Sequence, residues 1–370
     1  MSNEIRYAIA LSLIPRIGPL VSQKLIAAIG SVDGIFHESA GKLLKIPGIG
    51  EALVSRLTSG EVLKKADLEM NFISKNNIKP FFYFNSDYPR RLKMCSDAPL
   101  LLYFRGNAEF NQSKVISIVG TRSATAYGRE LCVKLLDELH DAGYQVLVVS
   151  GLAYGIDSYA HKTSLKNKMP TVGVLGHGLD KLYPPNHGGI AREMIKNGGL
   201  LTEFPSGSKI DPKNFVRRNR IIAGLADATI VIESGMKGGS LVTASLASSY
   251  NRDIFAFPGR CGDTYSSGCN KLIKNNQAAL IESAKDLAFN LGWDEPAVEI
   301  KHVEPVLFQK LQPEEEKVFS LVRQKGEMQI EEISTLAQTP MSKVSAILFN
   351  LEMDGLLENL PGKIYRVRNV

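Results

Sequence analysis

The 370-residue chain lacks any apolar run of about 18 residues or more, although 44% of it is hydrophobic. No membrane span is therefore expected, and the apolar content is free to build the cores of two or three domains. The opening stretch, Met1 to Gly18, carries Glu4 early and has no small-residue cleavage site, so no secretory leader is expected and the cytoplasm is the expected compartment. Cysteine is scarce: Cys95, Cys132, Cys261 and Cys269 form no CxxC pair, and no histidine stands at zinc spacing. Reduced thiols are expected, with neither a structural disulfide nor a bound metal. Two nucleotide motifs are also missing. There is no GxxxxGK[ST]; VGTRSATAYG (119–128) lacks the GxGxxG spacing, and the next apolar run ends on Ser150 rather than on an acid. Neither P-loop ATP binding nor NAD binding is expected, and no cofactor is called for.

Positive charge is present in modest excess and is unevenly placed. Residues 1–113 hold 14 Lys and Arg against 10 Asp and Glu, and residues 114–290 hold 21 against 15. Residues 291–304 hold one against four, and residues 305–370 hold eight against nine. A polyanionic partner suits the first three quarters of the chain, and the remainder is neutral to acidic.

Residues 1 to about 65 read as short helices broken by two similar phrases, LIPRIGPLVSQKLIAAIG and LLKIPGIGEALVSRL. Each runs apolar–Pro–x–Ile–Gly into an amphipathic helix. A glycine turn entering a helix offers backbone N–H groups at the positive end of the helix dipole, where one phosphate can sit. The pair resembles a helix-hairpin-helix tandem. Ile46-Pro47-Gly48-Ile49-Gly50 fits that pattern better than Arg16-Ile17-Gly18-Pro19, whose proline removes a donor. Two uses stay open: a reader of the DNA backbone, or a small helical packing domain without DNA contacts. Residues 66–113, with FFYF, SDYPRRL and APLLLYFRGN, form an aromatic, strand-like connecting segment that leads into the next domain.

From Lys114 to about residue 290 the pattern is regular. VISIVG, VLVVSG, TVGVLG, LLTEF, ATIVIES and DIFAFPG alternate with stretches of helical period such as GRELCVKLLDELHDAG and SLVTASLASSYN. Short apolar strands separated by helices predict an α/β, doubly wound and mainly parallel Rossmann-like sheet. Residues 291–304 are acidic, contain a proline and read as a linker. Residues 305–370 read as three helices and a β-hairpin with a Pro-Gly turn, the outline of a winged helix. Its probe helix, MSKVSAILFNLEMDG, carries Lys343 against Glu352 and Asp354, and Lys363, Arg366 and Arg368 are its basic cluster. A groove-reading helix presents several Arg, Lys or Asn, so a protein-contact or regulatory module is expected, with weak DNA contact as the alternative.

Ligands of open parallel sheets bind beyond the carboxyl ends of the strands. Six such ends carry Gly120-Thr121-Arg122, Ser150-Gly151, Gly176-His177-Gly178, Thr202-Glu203, Ser234 to Ser240 and Pro258-Gly259-Arg260. Glycine allows close approach of backbone to phosphate, and hydroxyls, N–H groups and cations complete an anion crevice. No catalytic set accompanies it. Asp157 and His161 stand four apart on one helix face, where a capping Asp and a satisfied His are expected. His177 is expected at ligand or solvent, and Glu203 is expected to order neighbouring arginines.

At this point the residues resemble the DprA/Smf family over 81–285. The matching phrases, in the family's order, are YPRRL, APLLLYFRGN, VGTRSATAYG, SGLAYGID, GLDKLYPPNH, LTEFPSG, NFVRRNRIIAGLADATIVIE, GSLVTASLA, FAFPG and SSGCNKLI. The resemblance implies a non-catalytic, cytoplasmic protein of natural transformation that binds and protects single-stranded DNA, loads RecA recombinase onto it, and dimerises through its Rossmann-like domain. It also implies the site. Gly120, Thr121 and Arg122 match the phosphate-gripping turn, and Ser150, Gly151 and Tyr154 stand in the second loop. Asn214, Phe215, Arg217, Arg218, Asn219 and Arg220 match the second wall, and Lys237, Gly238, Gly239, Ser240 and Thr243 the next loop and helix start. Many relatives place Lys or Arg where this chain has Tyr154, which exchanges phosphate attraction for a stacking face. With a helix over Phe215–Leu225, Arg217 and Arg220 share a face expected to look into the crevice, and Arg218 is expected to point to solvent or a partner. The rival class is a nucleotide-processing enzyme of the phosphoribohydrolase type. Its glutamate one turn into the helix has no counterpart after Gly238-Gly239, since no acid follows until Asp253.

Overall fold

The computed structural model describes residues 3–15, 17–293, 311–360 and 363–367. Residues up to Trp293 form one compact unit and the residues beyond it a second.

The first unit is built on a nine-stranded sheet. Its strands are β1 (Lys79–Phe82), β2 (Leu101–Gly106), β3 (Val115–Val119), β4 (Leu147–Ser150), β5 (Thr171–Val174), β6 (Gly198–Thr202), β7 (Ala228–Val231), β8 (Asp253–Ala256) and β9 (Ala279–Leu280). The order across the sheet is β1-β2-β6-β5-β4-β3-β7-β8-β9. From β6 to β9 every neighbouring pair is parallel, whereas β1–β2 and β2–β6 are antiparallel, with Phe81 opposite Leu102 and Tyr103 opposite Thr202. Strands β3 to β7 are buried on both faces, which is why they read as unbroken apolar runs. Helices Ala126–Asp141 and Ile156–Lys166 pack on one face, through residues such as Cys132, Leu136 and Ile156. Helices Pro212–Leu225 and Gly239–Ser249 supply Ile221, Ala223, Ala244 and Ala247 to the other.

The chain winds outward from β3 through β4, β5 and β6, then returns to pair β7 beside β3. The β3/β7 junction is therefore the topological switch point, where diverging connections open a crevice beyond the strand ends.

Before the sheet come helices Asn3–Ser12, Pro19–Ile29, Val32–His37, Ala40–Leu43, Glu51–Thr58 and Glu61–Lys75. Gly18 and Gly50 stand at the starts of the helices that follow the two glycine phrases. Their core, including Ile9, Leu25, Ile35 and Ile73, continues into Phe82, Leu101 and Tyr103 of the antiparallel edge. Arg16 of the first phrase lies outside the described residues.

Leu291 and Trp293, at the start of the stretch read as a linker, pack against the core of the first unit, and Trp293 stacks beside Tyr144 at 5.5 Å. Residues 294–304 lie outside the described residues. The second unit has helices Pro313–Lys325, Ile330–Ala337 and Met341–Met353. Three strands, β10 (Glu327–Gln329), β11 (Leu357–Leu360) and β12 (Ile364–Val367), pair in the order β10-β12-β11. The unit is a winged helix; β10, too short to show a period, adds a third strand to the expected hairpin. The Pro361-Gly362 turn and Arg368 lie outside the described residues.

Candidate functional site

A cavity of about 850 Å³ opens at the switch point. Its floor comes from the loop after β3 (Gly120, Thr121, Arg122), the loop after β4 (Ala153) and the start of the following helix (Asp157). One wall is the stretch from Ile210 to Ile222, and the facing wall runs from Ser234 to Thr243 with Thr264 and Tyr265.

The floor is fixed by close backbone contacts. The Thr121 N–H donates to the Glu233 carbonyl at 2.7 Å, and the Ile156 N–H donates to the Thr121 carbonyl at 3.2 Å. Gly155 makes this approach possible: its φ is +76°, and a Cβ there would stand 2.2 Å from the Thr121 carbonyl oxygen. Gly151 has a different role. A Cβ on it would meet both the Arg218 guanidinium and Asp157 Oδ2 at 2.7 Å, so glycine leaves room for that buried pair.

Arg218 is 3% exposed and lines the cavity. Its Nη1 donates to the Gly151 carbonyl at 2.7 Å and also to the carbonyl of Val174. Burial draws the guanidinium pKa down to about 10, Asp157 opposes the fall, and Arg122 adds to it. Burial raises the Asp157 carboxyl above its ordinary value, and Arg218 opposes that rise. The two expectations for the arginines are thus reversed. Arg218 is the inward residue, because from Arg218 to Leu225 every position of the helix is buried and no solvent side remains. Arg217 and Arg220 do share a face, but it turns to Glu203, whose Oε2 accepts from them at 2.7 and 2.6 Å. The helix itself begins at Pro212, capped by Asp211, three residues before the expected start.

Other expected site residues also lie off the cavity. Ser150 is buried and donates from Oγ to the Ile118 carbonyl at 2.6 Å. Tyr154 is exposed and sits edge-on to His187 at 5.1 Å. Asn214 donates from Nδ2 to the Lys209 carbonyl at 3.2 Å. His161 does not pair with Asp157: its Nδ1 lies 2.7 Å from the Thr171 hydroxyl, and burial lowers its pKa to about 3. His177 meets neither ligand space nor solvent. It is fully buried, with Nδ1 2.9 Å from the Gly178 carbonyl and Nε2 accepting the Tyr183 N–H.

What the cavity brings together is an anion cradle and an apolar surface. Arg122 and Lys237 are exposed and line it, and among the described residues neither has a carboxylate partner. The helix Gly239–Ser249 starts without a side-chain cap, so its first N–H groups stand at the opening, while the lining Ser240 and Thr243 hydroxyls are engaged by Ser234 Oγ and the Gly239 carbonyl. Asn219, whose Nδ2 donates to the Gly239 carbonyl at 3.3 Å, ties this helix start to the opposite wall. Phe215 and Tyr183 meet at 5.5 Å, Ile210 and Val216 expose apolar surface on the same side, and Met236 and Tyr265 do so on the facing wall. The apolar set was not among the expected site residues beyond Phe215. Its sequence signal is large apolar residues in loops, where packing does not call for them.

The central part of the chain, residues 79–292, matches the family model for DNA recombination-mediator protein A. Residues 307–363 match the DprA winged helix domain and residues 8–60 a SAM-like helix-hairpin-helix tandem. The chain belongs to the DprA/Smf family. It is 31% identical to protein Smf of Synechocystis over 79% of this chain and 73% of that one. It is 38% identical to the DNA processing protein DprA of Bacillus subtilis over 60% and 72%. Among solved structures, that of DprA from Streptococcus pneumoniae superposes with a TM-score of 0.62 at 29% identity, covering 78% of this chain and 98% of that one. DprA from Helicobacter pylori, described for its single-stranded DNA binding mode, gives a TM-score of 0.53 at 28% identity, with coverage of 60% and 98%.

Proposed function

We propose that the switch-point crevice binds single-stranded DNA without regard to sequence. The observation that carries this reading is the meeting, in one cavity, of two cations without a carboxylate partner among the described residues, an uncapped helix start and an apolar aromatic lining. Phosphates fit the side formed by Thr121, Arg122, Lys237 and Gly238 to Ser240. Bases fit Phe215, Tyr183 and Tyr265, because every base has a face to stack and no base edge need be read. The description of the Helicobacter relative supports the assignment.

On this reading the protein acts in the cytoplasm as a non-catalytic mediator. It protects incoming strands in transformation or recombination, passes them to RecA recombinase, and works as a homodimer through the sheet-bearing unit. The phosphoribohydrolase alternative lacks support in the crevice, where the only carboxylate among the described lining residues is Asp157, set against Arg218. The winged helix is assigned to protein contact. Lys343 is paired with Glu314, and Arg366 with Glu358 and Glu327, while Phe349 and Met353 on the probe helix are 61% and 72% exposed.

The test is a gel-shift comparison of single- and double-stranded DNA of several sequences, with RecA filament assembly followed on the same strands. Tight, sequence-blind retention of single strands and faster assembly are expected. Equal affinity for duplex, or release of free base from AMP by the crevice, overturns the reading.

A further inference from the structure

Helix Glu61–Lys75 turns Ala66, Glu69 and Ile73 inward. Glu69 is a carboxylate on an apolar stripe, 5% exposed, and among the described residues it has no cationic partner. A buried carboxylate without compensation is expensive, so its partners reveal what it is for. Both oxygens accept the Ser206 N–H, at 3.0 and 3.1 Å, and Oε2 also accepts the Ser206 hydroxyl. Among the described residues all of its hydrogen bonds go to one residue, 137 positions away, on the segment after β6.

That segment leads directly to the crevice. Glu203 binds Arg217 and Arg220, Asp211 caps helix Pro212–Leu225, and between them Ile210 reaches the cavity with little packing of its own. The adjoining loop is held in the same way. A Cβ on Gly178 would stand 2.4 Å from the Pro205 carbonyl oxygen, Leu179 packs against the N-terminal helical core, and the loop ends at Tyr183 of the apolar wall.

We infer that Glu69 is a positioning residue. Through Ser206 the N-terminal helical segment sets the outer wall of the crevice and so tunes strand binding without touching the strand. The inference rests on the reading of the crevice as a single-strand site.

The test uses the full chain with Glu69→Leu, Ser206→Ala and the double variant. Leucine suits the apolar stripe, so Glu69→Leu is expected to match or exceed the wild-type melting temperature. A purely structural carboxylate would instead lose stability when replaced. Hydrogen exchange in residues 203–211 should accelerate in Glu69→Leu, and single-strand affinity should fall at least about fivefold. The salt dependence of binding should not change, since the phosphate contacts remain. Ser206→Ala should weaken binding less, and its effect should largely vanish in the Glu69→Leu background. Unchanged exchange, unchanged affinity or full additivity overturns the inference. If the wild type binds no single strand, the crevice reading itself falls, and exchange in residues 203–211 still decides whether Glu69 holds the segment.

Discussion

Arg218 reaches from its helix to the end of β4 and donates to the Gly151 carbonyl at 2.7 Å, beside the buried Asp157. The cation at the centre of the crevice thus serves first to lock two loops together. Removing it leaves the buried Asp157 without its cation, although the Ala153 N–H still donates to it, so Arg218→Met should cost about 3–5 kcal/mol at neutral pH. The pH dependence has a definite sign. An acid whose folded pKa is raised costs no stability below its unfolded pKa, and the cost grows as pH rises through the folded value. Without Arg218 the Asp157 carboxyl rises further, so the penalty should shrink as pH falls from 7 toward about 4. Urea melts of both proteins across that range provide the check; a penalty independent of pH refutes the coupling.

Arg122 has no carboxylate partner among the described residues, and its charge is available to a ligand. Arg122→Ala should weaken binding to all single strands alike and reduce the log–log salt slope by about 0.7. Anisotropy titrations at several salt concentrations measure both. An unchanged isotherm removes Arg122 from the phosphate contacts.

Arg217 and Arg220 converge on Glu203 and should behave unlike Arg122. Arg217 is 56% exposed at its side chain, so Arg217→Ala should cost about 1 kcal/mol or less. Arg220 is buried and also donates to the Asp97 carbonyl, so Arg220→Ala should cost about 2–3 kcal/mol. Neither should change the salt slope of the folded protein. A slope reduced in Arg217→Ala would return that residue to the DNA site.

These arginines show where the sequence was legible and where it was not. The parallel strands were, because burial on both faces leaves unbroken apolar runs such as VISIV and ATIV. The glycine-bearing strand ends placed Gly120, Arg122 and Gly238 to Ser240 at one crevice. Facing was not legible for helix Pro212–Leu225: amphipathic reasoning needs a solvent side, and beyond Arg217 there is none. The placement of β2 against β6 was hidden too, since antiparallel pairing across about a hundred residues leaves no local pattern. Glu69 did leave a signal, an acid in phase with Ala66 and Ile73 on the buried face of its helix.

Phe215 is a half-buried aromatic of the crevice, steadied by Tyr183 and by Gly176, where a Cβ would stand 2.9 Å from its ring. Phe215→Ala should cost about 1–3 kcal/mol of single-strand affinity, evenly across base compositions, with the salt slope intact. Phe215→Trp should retain most of it. Loss confined to one base would show that the wall reads identity rather than providing a stacking face.

The winged helix presents a different chemistry from the crevice. Its cations Lys343 and Arg366 are occupied by Glu314, Glu358 and Glu327, and the exposed side of its third helix offers Phe349 and Met353. A phosphate backbone gains nothing from thioether and phenyl groups, whereas an apolar protein surface does. Deleting residues 305–370 should therefore leave single-strand affinity within about twofold of the full chain and its salt slope unchanged. Equilibrium titrations of both forms settle the point, and complete loss of binding would place the winged helix in the DNA site itself.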